Sequence, residues 1–232
     1  MRRTRLDTAM IYVVMRGAVR VIAAVVLGRR LHIEGLEHVP RRGAALVVGN
    51  HVGAIDGVLM GIHIPRFDVY YMAKSELFRR PFLAWLFRRC HTFPVVRDSP
   101  DRHALRHALR LLRSGHVLLV YPEGTRSPDG RIQPPHPGAG FIALHSDVAL
   151  VPVASWGSDK VLPRGIHLPR RADVHLHVGE AFRLPAPGAG SGRLTSQEAS
   201  NYMMSRVAAL LPPDLRTTET EATSAADTPP AA

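Results

Sequence analysis

Five short apolar runs punctuate the chain, and each stops at small or polar residues. Ala44 to Gly49 (AALVVG) ends at Asn50-His51, followed by Val69 to Met72, Val117 to Val120, Leu150 to Val153 and Val174 to Val178. Runs of this length and valine content match buried strands rather than helices. Helical patterning falls between and after them. Ser99-Pro100 reads as an N-cap and first-turn proline opening a helix with Leu105, Leu109 and Leu112 on one side, closed by Ser114-Gly115. A late helix starts at Thr195, whose Thr-x-x-Glu spacing to Glu198 forms a capping box, and stops at Pro212-Pro213. Pro185 to Arg193 is a Pro/Gly/Ser loop, and there are no internal repeats. The expected fold is α/β: a single domain over residues 31–215, with a mixed, mostly parallel central sheet flanked by helices. Residues 216–232 are too poor in apolar side chains to fold and are expected to be a disordered tail.

The N-terminus follows a different pattern. Residues 2–30 hold seven arginines and one acid around an apolar stretch from Ala9 to Leu27. Arg16 and Arg20 interrupt it, so no uninterrupted run approaches the ~18–20 residues that span a bilayer. Those arginines stand four apart, on one helical face. Residues 1–30 are therefore expected to form a basic amphipathic helix at the membrane interface, apolar side in acyl chains and arginines among headgroups. A second segment interleaves Phe78, Phe82, Leu83, Trp85, Leu86 and Phe87 with Arg79, Arg80, Arg88 and Arg89, which suits a headgroup boundary or nucleic-acid stacking.

Composition adds one constraint and one ambiguity. The 232 residues carry 30 Lys plus Arg against 19 Asp plus Glu, a net charge of +11. The tail from Arg216 holds one base and three acids (Glu219, Glu221, Asp227), leaving +13 on the rest. Such a field attracts an anionic membrane surface or nucleic acid. No nucleic-acid-binding motif accompanies the charge, so no nucleic-acid partner is expected. The single cysteine, Cys90, excludes an intrachain disulfide and suits a reducing compartment. His103 and His107, four apart on a helix, have no obvious third ligand, so no metal is expected. His175 and His177 alternate with apolar residues on the outer face of a strand, and Met203-Met204 is helix packing.

Two segments carry chemistry. Asn50-His51-Val52-Gly53-Ala54-Ile55-Asp56 follows a buried strand, where α/β folds place ligands. If the chain turns into a helix there, the Asp56 carboxylate can hold one imidazole nitrogen of His51 and leave the other as a proton acceptor. Tyr121-Pro122-Glu123-Gly124-Thr125-Arg126-Ser127 also follows an apolar strand. Gly124 allows a sharp turn, and Arg126 offers a fork for phosphate oxygens.

In this order the two segments resemble the His-x4-Asp and Glu-Gly-Thr-Arg blocks of the lysophospholipid and glycerol-phosphate acyltransferase family. His91-Thr92-Phe93-Pro94-Val95-Val96-Arg97 corresponds to the family's Gly-x-x-(Phe/Pro)-(Ile/Val)-x-Arg block, and Leu150-Val151-Pro152-Val153 to its later apolar-Pro block. Ala73-Lys74-Ser75-Glu76-Leu77 is similar to its Lys-x-Glu-Leu segment, and the likeness runs from Glu34 to Glu180. It implies an O-acyltransferase of phospholipid biosynthesis on the cytoplasmic face of the cell membrane. The donor would be acyl-CoA or acyl-carrier protein, and no cofactor is required. The acceptor would be a lysophospholipid, foremost 1-acyl-sn-glycerol-3-phosphate, with glycerol-3-phosphate or a glycolipid as the alternative. A basic nucleic-acid or lipid-binding protein is the non-enzyme alternative. The implied catalytic pair is His51 and Asp56. Lys74, Arg97 and Arg126 would hold the acceptor phosphate, Glu123 and Thr125 would shape its pocket, and backbone N–H groups around Gly124 would meet the oxyanion. His91 stands where the family has glycine and is expected to alter the acceptor's fit.

Overall fold

The computed structural model describes residues 2–96, 101–166, 168–186 and 193–216, with the side chains of residues 2–9 outside that description. Strands are β1 (Leu31–Glu34), β2 (Ala45–Gly49), β3 (Val69–Lys74), β4 (Thr92–Val95), β5 (Val117–Val120), β6 (Ala149–Trp156) and β7 (Val174–Val178). Helices are α1 (Arg2–Val26), α2 (Asp56–His63), α3 (Pro81–Arg89), α4 (Arg102–Arg113), α5 (Pro137–Ser146) and α6 (Ser196–Ala208). The strands form one seven-stranded sheet in the order β1-β7-β6-β2-β5-β3-β4. All neighbours pair parallel except β6 and β7. The carboxyl ends of β2, β3, β5 and β6 therefore meet at one edge of the sheet.

Both faces of the central strands are buried, which is why their sequences read as unbroken apolar runs rather than alternating ones. Leu46, Val48, Leu118, Val120 and Leu150 face α4, α5 and α6. Ala45, Val47, Val117, Leu119 and Val151 face the opposite layer, where Met60 of α2 and Ile64 just after it pack. Beyond it, Ala23 and Leu27 of α1 join Leu59 and Ile62 of α2 over Val174 and Leu176.

Several elements differ from the sequence expectation. The described N-cap of α4 is Asp101, whose carboxylate accepts from His103 N and Ala104 N at 3.0 and 2.9 Å. Ser99 and Pro100 lie outside the described residues, as do Arg97, residues 187–192 of the Pro/Gly/Ser loop and the tail from Thr217. The capping box at Thr195 is present. β1, β4 and α5 carried no readable signal.

The N-terminal helix is present, with one arginine placed otherwise than expected. Arg16 is turned into the protein: its guanidinium donates to the carbonyls of Ile62, Ile64 and Arg66 and lies 4.7 Å from the Phe67 ring centroid. Ile62 lies in the last turn of α2, where carbonyls lack intrahelical donors, and Ile64 and Arg66 follow it, so the cation also meets the negative end of the helix dipole. That demand outweighs exposure of Arg16 to headgroups. The outward face instead carries Met10, Val13, Val14, Val21, Ile22 and Val25, all exposed. No helix of the described residues is long and apolar enough to cross a membrane.

His91 is also relocated. It precedes β4, whose Thr92 pairs with Tyr71 while Val95 pairs with Lys74 at the far end of β3. The imidazole is thus at the sheet edge opposite His51, stacked between Tyr12 of α1 at 4.3 Å and Tyr70 of β3 at 4.8 Å. Its φ of +56° accounts for glycine being the simpler residue there. The expected influence of His91 on acceptor fit is corrected accordingly.

Candidate active site

β2 ends at Gly49, and the chain crosses the sheet edge before Asp56 opens α2. Asn50 is buried and pairs twice with the backbone of Ser155 on neighbouring β6: its Nδ2 donates to Ser155 O at 2.8 Å, and its Oδ1 accepts from Ser155 N at 2.7 Å. This extends the β2–β6 ladder by one side-chain rung and fixes where His51 leaves the sheet. His51 then points its Nδ1 at Asp56 Oδ2, 2.9 Å away. Oδ2 also accepts from the backbone N–H groups of Val52 and Gly53, both at 2.8 Å. The other oxygen, Oδ1, accepts from the hydroxyls of Ser155, at 3.2 Å, and Ser158. Asp56 is 1% exposed, and five donors converge on it. That is the environment of an ionised carboxylate, which holds His51 with its proton on Nδ1 and its lone pair on Nε2. The ring stacks on Tyr121 at 4.5 Å, with an 18% exposed side chain.

The loop after β5 is tied to His51 through its backbone. Glu123 Oε1 accepts from His51 N at 2.9 Å, and its Oε2 accepts from Gln133 N at 3.2 Å. Ser127 N donates to His51 O at 2.7 Å. Glu123 is 2% exposed and staples two loops together, so any shaping of the substrate pocket acts through these backbone contacts. Burial pushes its carboxyl up to about 8, helped by the nearby charges of Asp56 and Asp129 and opposed by the two N–H donors. Gly124 has a φ of +67°, and a Cβ there would come within 2.8 Å of the His136 ring. Its N–H closes a turn onto Tyr121 O at 3.0 Å. That donor is spent, so an oxyanion contact in this loop would have to come from N–H groups beside Gly124.

Of the expected phosphate ligands, Arg126 is half-buried next to Ser127, and Arg164 donates to its carbonyl at 2.9 Å. Thr125 is exposed beside it. Lys74 ends β3 at the same sheet edge and pairs with Glu76 at 3.3 Å. Arg97 lies outside the described residues. Among the described residues no group of three His, Cys, Asp or Glu side chains is placed to hold a metal. Sequence reasoning missed Tyr121 as the floor of the imidazole, and Ser155 and Ser158 as donors to Asp56. The serines lie 99 and 102 residues from their partner, and no local pattern marks them.

Residues 30–156 match the sequence model of the family described as Acyltransferase, more than half of the chain. The chain belongs to the acyltransferase family. It is 29% identical over 144 residues to a 1-acyl-sn-glycerol-3-phosphate acyltransferase of Bacillus subtilis, covering 62% of this chain and 69% of that one. A chloroplastic 1-acyl-sn-glycerol-3-phosphate acyltransferase of Arabidopsis thaliana is 31% identical over 139 residues, covering 59% of this chain and 38% of that one. The crystal structure of the 1-acyl-sn-glycerophosphate acyltransferase of Thermotoga maritima superposes with a TM-score of 0.61 at 27% identity, covering 76% of this chain and 68% of that one. The His51–Asp56 pair and the Glu123 staple thus sit in an O-acyltransferase fold of the phospholipid-synthesis type.

Proposed function

We propose that this acyltransferase moves an acyl group from acyl-CoA or acyl-carrier protein to the free hydroxyl of 1-acyl-sn-glycerol-3-phosphate, giving phosphatidic acid. The carrying observation is the His51–Asp56 pair: Nδ1 is committed to a carboxylate 2.9 Å away, leaving Nε2 as the acceptor for a substrate proton. The acceptor hydroxyl gives its proton to Nε2 as its oxygen attacks the thioester carbonyl. Asp56 stabilises the imidazolium so formed. The tetrahedral intermediate collapses by expelling the thiolate, which takes the proton back from His51, and no acyl-enzyme forms. Arg126, with Lys74 and Arg97, binds the acceptor phosphate as a charge-assisted contact. The relatives named above support the acceptor.

The test supplies purified protein with labelled acyl-CoA or acyl-carrier protein and a panel of acceptors, products identified by mass. Lysophosphatidate is expected to outrun both glycerol-3-phosphate and unphosphorylated monoacylglycerol. Equal use of monoacylglycerol would remove the phosphate role. His51→Ala is expected to lower kcat by about a thousandfold or more in a folded protein, and substantial residual transfer would sink the mechanism.

The reaction is placed at the cytoplasmic face of the membrane, with the exposed apolar face of α1 in the acyl-chain boundary and the protein's net positive charge facing anionic headgroups. The triple variant Val14→Gln, Val21→Gln, Val25→Gln leaves the packed side of α1 intact. It is expected to lose flotation with anionic vesicles, and unchanged flotation would refute this placement.

A further inference from the structure

Beyond the segment 30–156 that matches the family, the chain sends one more side chain into the centre of the site. β6 ends at Trp156, and Gly157 takes a φ of +82°, turning the backbone so that Ser158 doubles back beneath the His51–Asp56 loop. A Cβ on Gly157 would come within 2.1 Å of Asp173 O, so the turn requires glycine. Ser158 is 0% exposed, and its hydroxyl donates to Asp56 Oδ1. Gly53 is shaped around it, since a Cβ there would come within 2.3 Å of Ser158 Oγ. Ser155, 2% exposed, reaches the same oxygen from the end of β6.

We infer that Ser158, seconded by Ser155, is a positioning residue for acyl transfer: its hydroxyl fixes the Asp56 carboxylate and moderates the negative charge that this carboxylate presents to His51. The physical reason lies in how the donors divide. Oδ2 holds His51 and two backbone N–H groups, whereas Oδ1 has, among the described residues, the two serine hydroxyls. Removing a hydroxyl concentrates charge on the carboxylate and favours the protonated imidazole, the form that cannot accept a proton from substrate. Loss of the Ser158 hydroxyl also loosens the hold on Oδ1, which then rests on Ser155 alone among the described residues.

The titratable groups that meet the pair from other elements are Tyr121, stacked on the His51 ring and close enough to feel the Asp56 charge, and Glu123, which accepts from His51 N and also feels that charge. Behind them Asp129 acts on Glu123 and Tyr71 on Tyr121. Glu123, raised to about 8 by burial, is common to wild type and variant, so a difference between their rate profiles reports on the His51–Asp56 pair.

The inference rests on the acyl-transfer reading, and the wild-type protein in the same assay tests that reading separately. Ser158→Ala is expected to lower kcat by roughly tenfold with both KM values within about twofold, and to move the acid limb of kcat/KM up by about 0.5–1 pH unit. The His51 ring, followed by NMR and assigned by its loss in His51→Gln, is expected to titrate higher in the variant by the same amount, whatever the substrate. Should Ser158→Ala fail to fold, Ser155→Ala carries the same expectation at smaller amplitude, since its contact is longer. A drop in activity with an unmoved acid limb and unmoved His51 titration in the folded variant would show a merely structural role and overturn the inference.

Discussion

The catalytic edge and the N-terminal helix solve the problem of buried polar groups in opposite ways. At the edge, segments far apart in the chain converge on a few atoms: Asp56 accepts five donors, and Glu123 joins the backbones of His51 and Gln133. No single contact there carries the geometry. α1 is docked over an apolar seam by two polar keys, Arg16 on the end of α2 and Tyr12 against His91. Its outward face remains apolar and exposed. A site that must hold a proton acceptor within tenths of an ångström gains from redundancy. A helix that meets a changing lipid surface needs only to be held.

The sharpest way to break the redundant region is to alter Glu123 without changing its size. Glu123→Gln sets an amide NH2 against a backbone N–H that the carboxylate accepted, leaving two donors facing each other in a buried site. We expect kcat to fall about a hundredfold with the fold retained, measured against wild type at about pH 9, where the Glu123 carboxyl is ionised. The variant also has a pH signature. The Glu123 carboxyl is raised from its ordinary value of 4.5 to about 8 in the folded protein. The stability this provides is fully present below about pH 4.5 and is lost as pH rises through 8. The melting-temperature advantage of wild type over Glu123→Gln should therefore shrink across that window.

The two regions were also unequally legible. The strands β2, β5 and β7 could be read because burial on both faces, or clean alternation, leaves an unmistakable apolar pattern. The His51–Asp56 contact could be read because it spans five residues. The Ser155 and Ser158 contacts to the same carboxylate could not, since they depend on β6 lying beside β2, a fact of strand order rather than of sequence. Glu123 was visible as a motif residue, but its direction was not. The helical wheel of α1 placed Arg16 and Arg20 on one side correctly; both charges bear on His63 at the end of α2. What the wheel lacks is the identity of the opposing surface. Three carbonyls there, of Ile62, Ile64 and Arg66, draw Arg16 inward. α5, Pro137–Ser146, was invisible for another reason: small residues such as Gly140 let it approach α6 so closely that a Cβ would come within 1.9 Å of Ser196 O.

If α1 is held by few keys, removing one should loosen it without touching chemistry. Arg16→Ala strips the donors from the carbonyls of Ile62, Ile64 and Arg66. We expect a loss of about 1–3 kcal/mol in denaturant unfolding. Proteolysis within the first 26 residues should accelerate, while kcat in detergent stays within about twofold of wild type. A comparable loss of kcat would mean that the helix shapes the site.

The smallest expected effect concerns the second key, and it separates the regions most cleanly. His91 holds a left-handed backbone conformation that costs a non-glycine residue about 1 kcal/mol. Its return is two ring stacks, on Tyr12 and Tyr70, worth about 0.5–1.5 kcal/mol each. His91→Gly relieves the strain and forfeits the stacks, so the net destabilisation at pH 8 should be no more than about 2 kcal/mol. The difference should depend on pH in a definite direction. Burial lowers the imidazole's pKa below its ordinary 6.5, reinforced by His116 and opposed by the Val69 backbone and Asp68, and its Nδ1 has no hydrogen-bond partner among the described residues. The stability it contributes is present above 6.5 and lost as the pH falls through the lowered value, because the folded state resists the proton that the unfolded chain accepts. Wild type should therefore lose stability between pH 7 and 5 relative to His91→Gly, read from parallel thermal melts. Because His91 stands at the sheet edge opposite His51, acceptor KM and acceptor preference should not move. A change in acceptor preference with an unchanged pH dependence of stability would return His91 to the catalytic region and erase the division between the two.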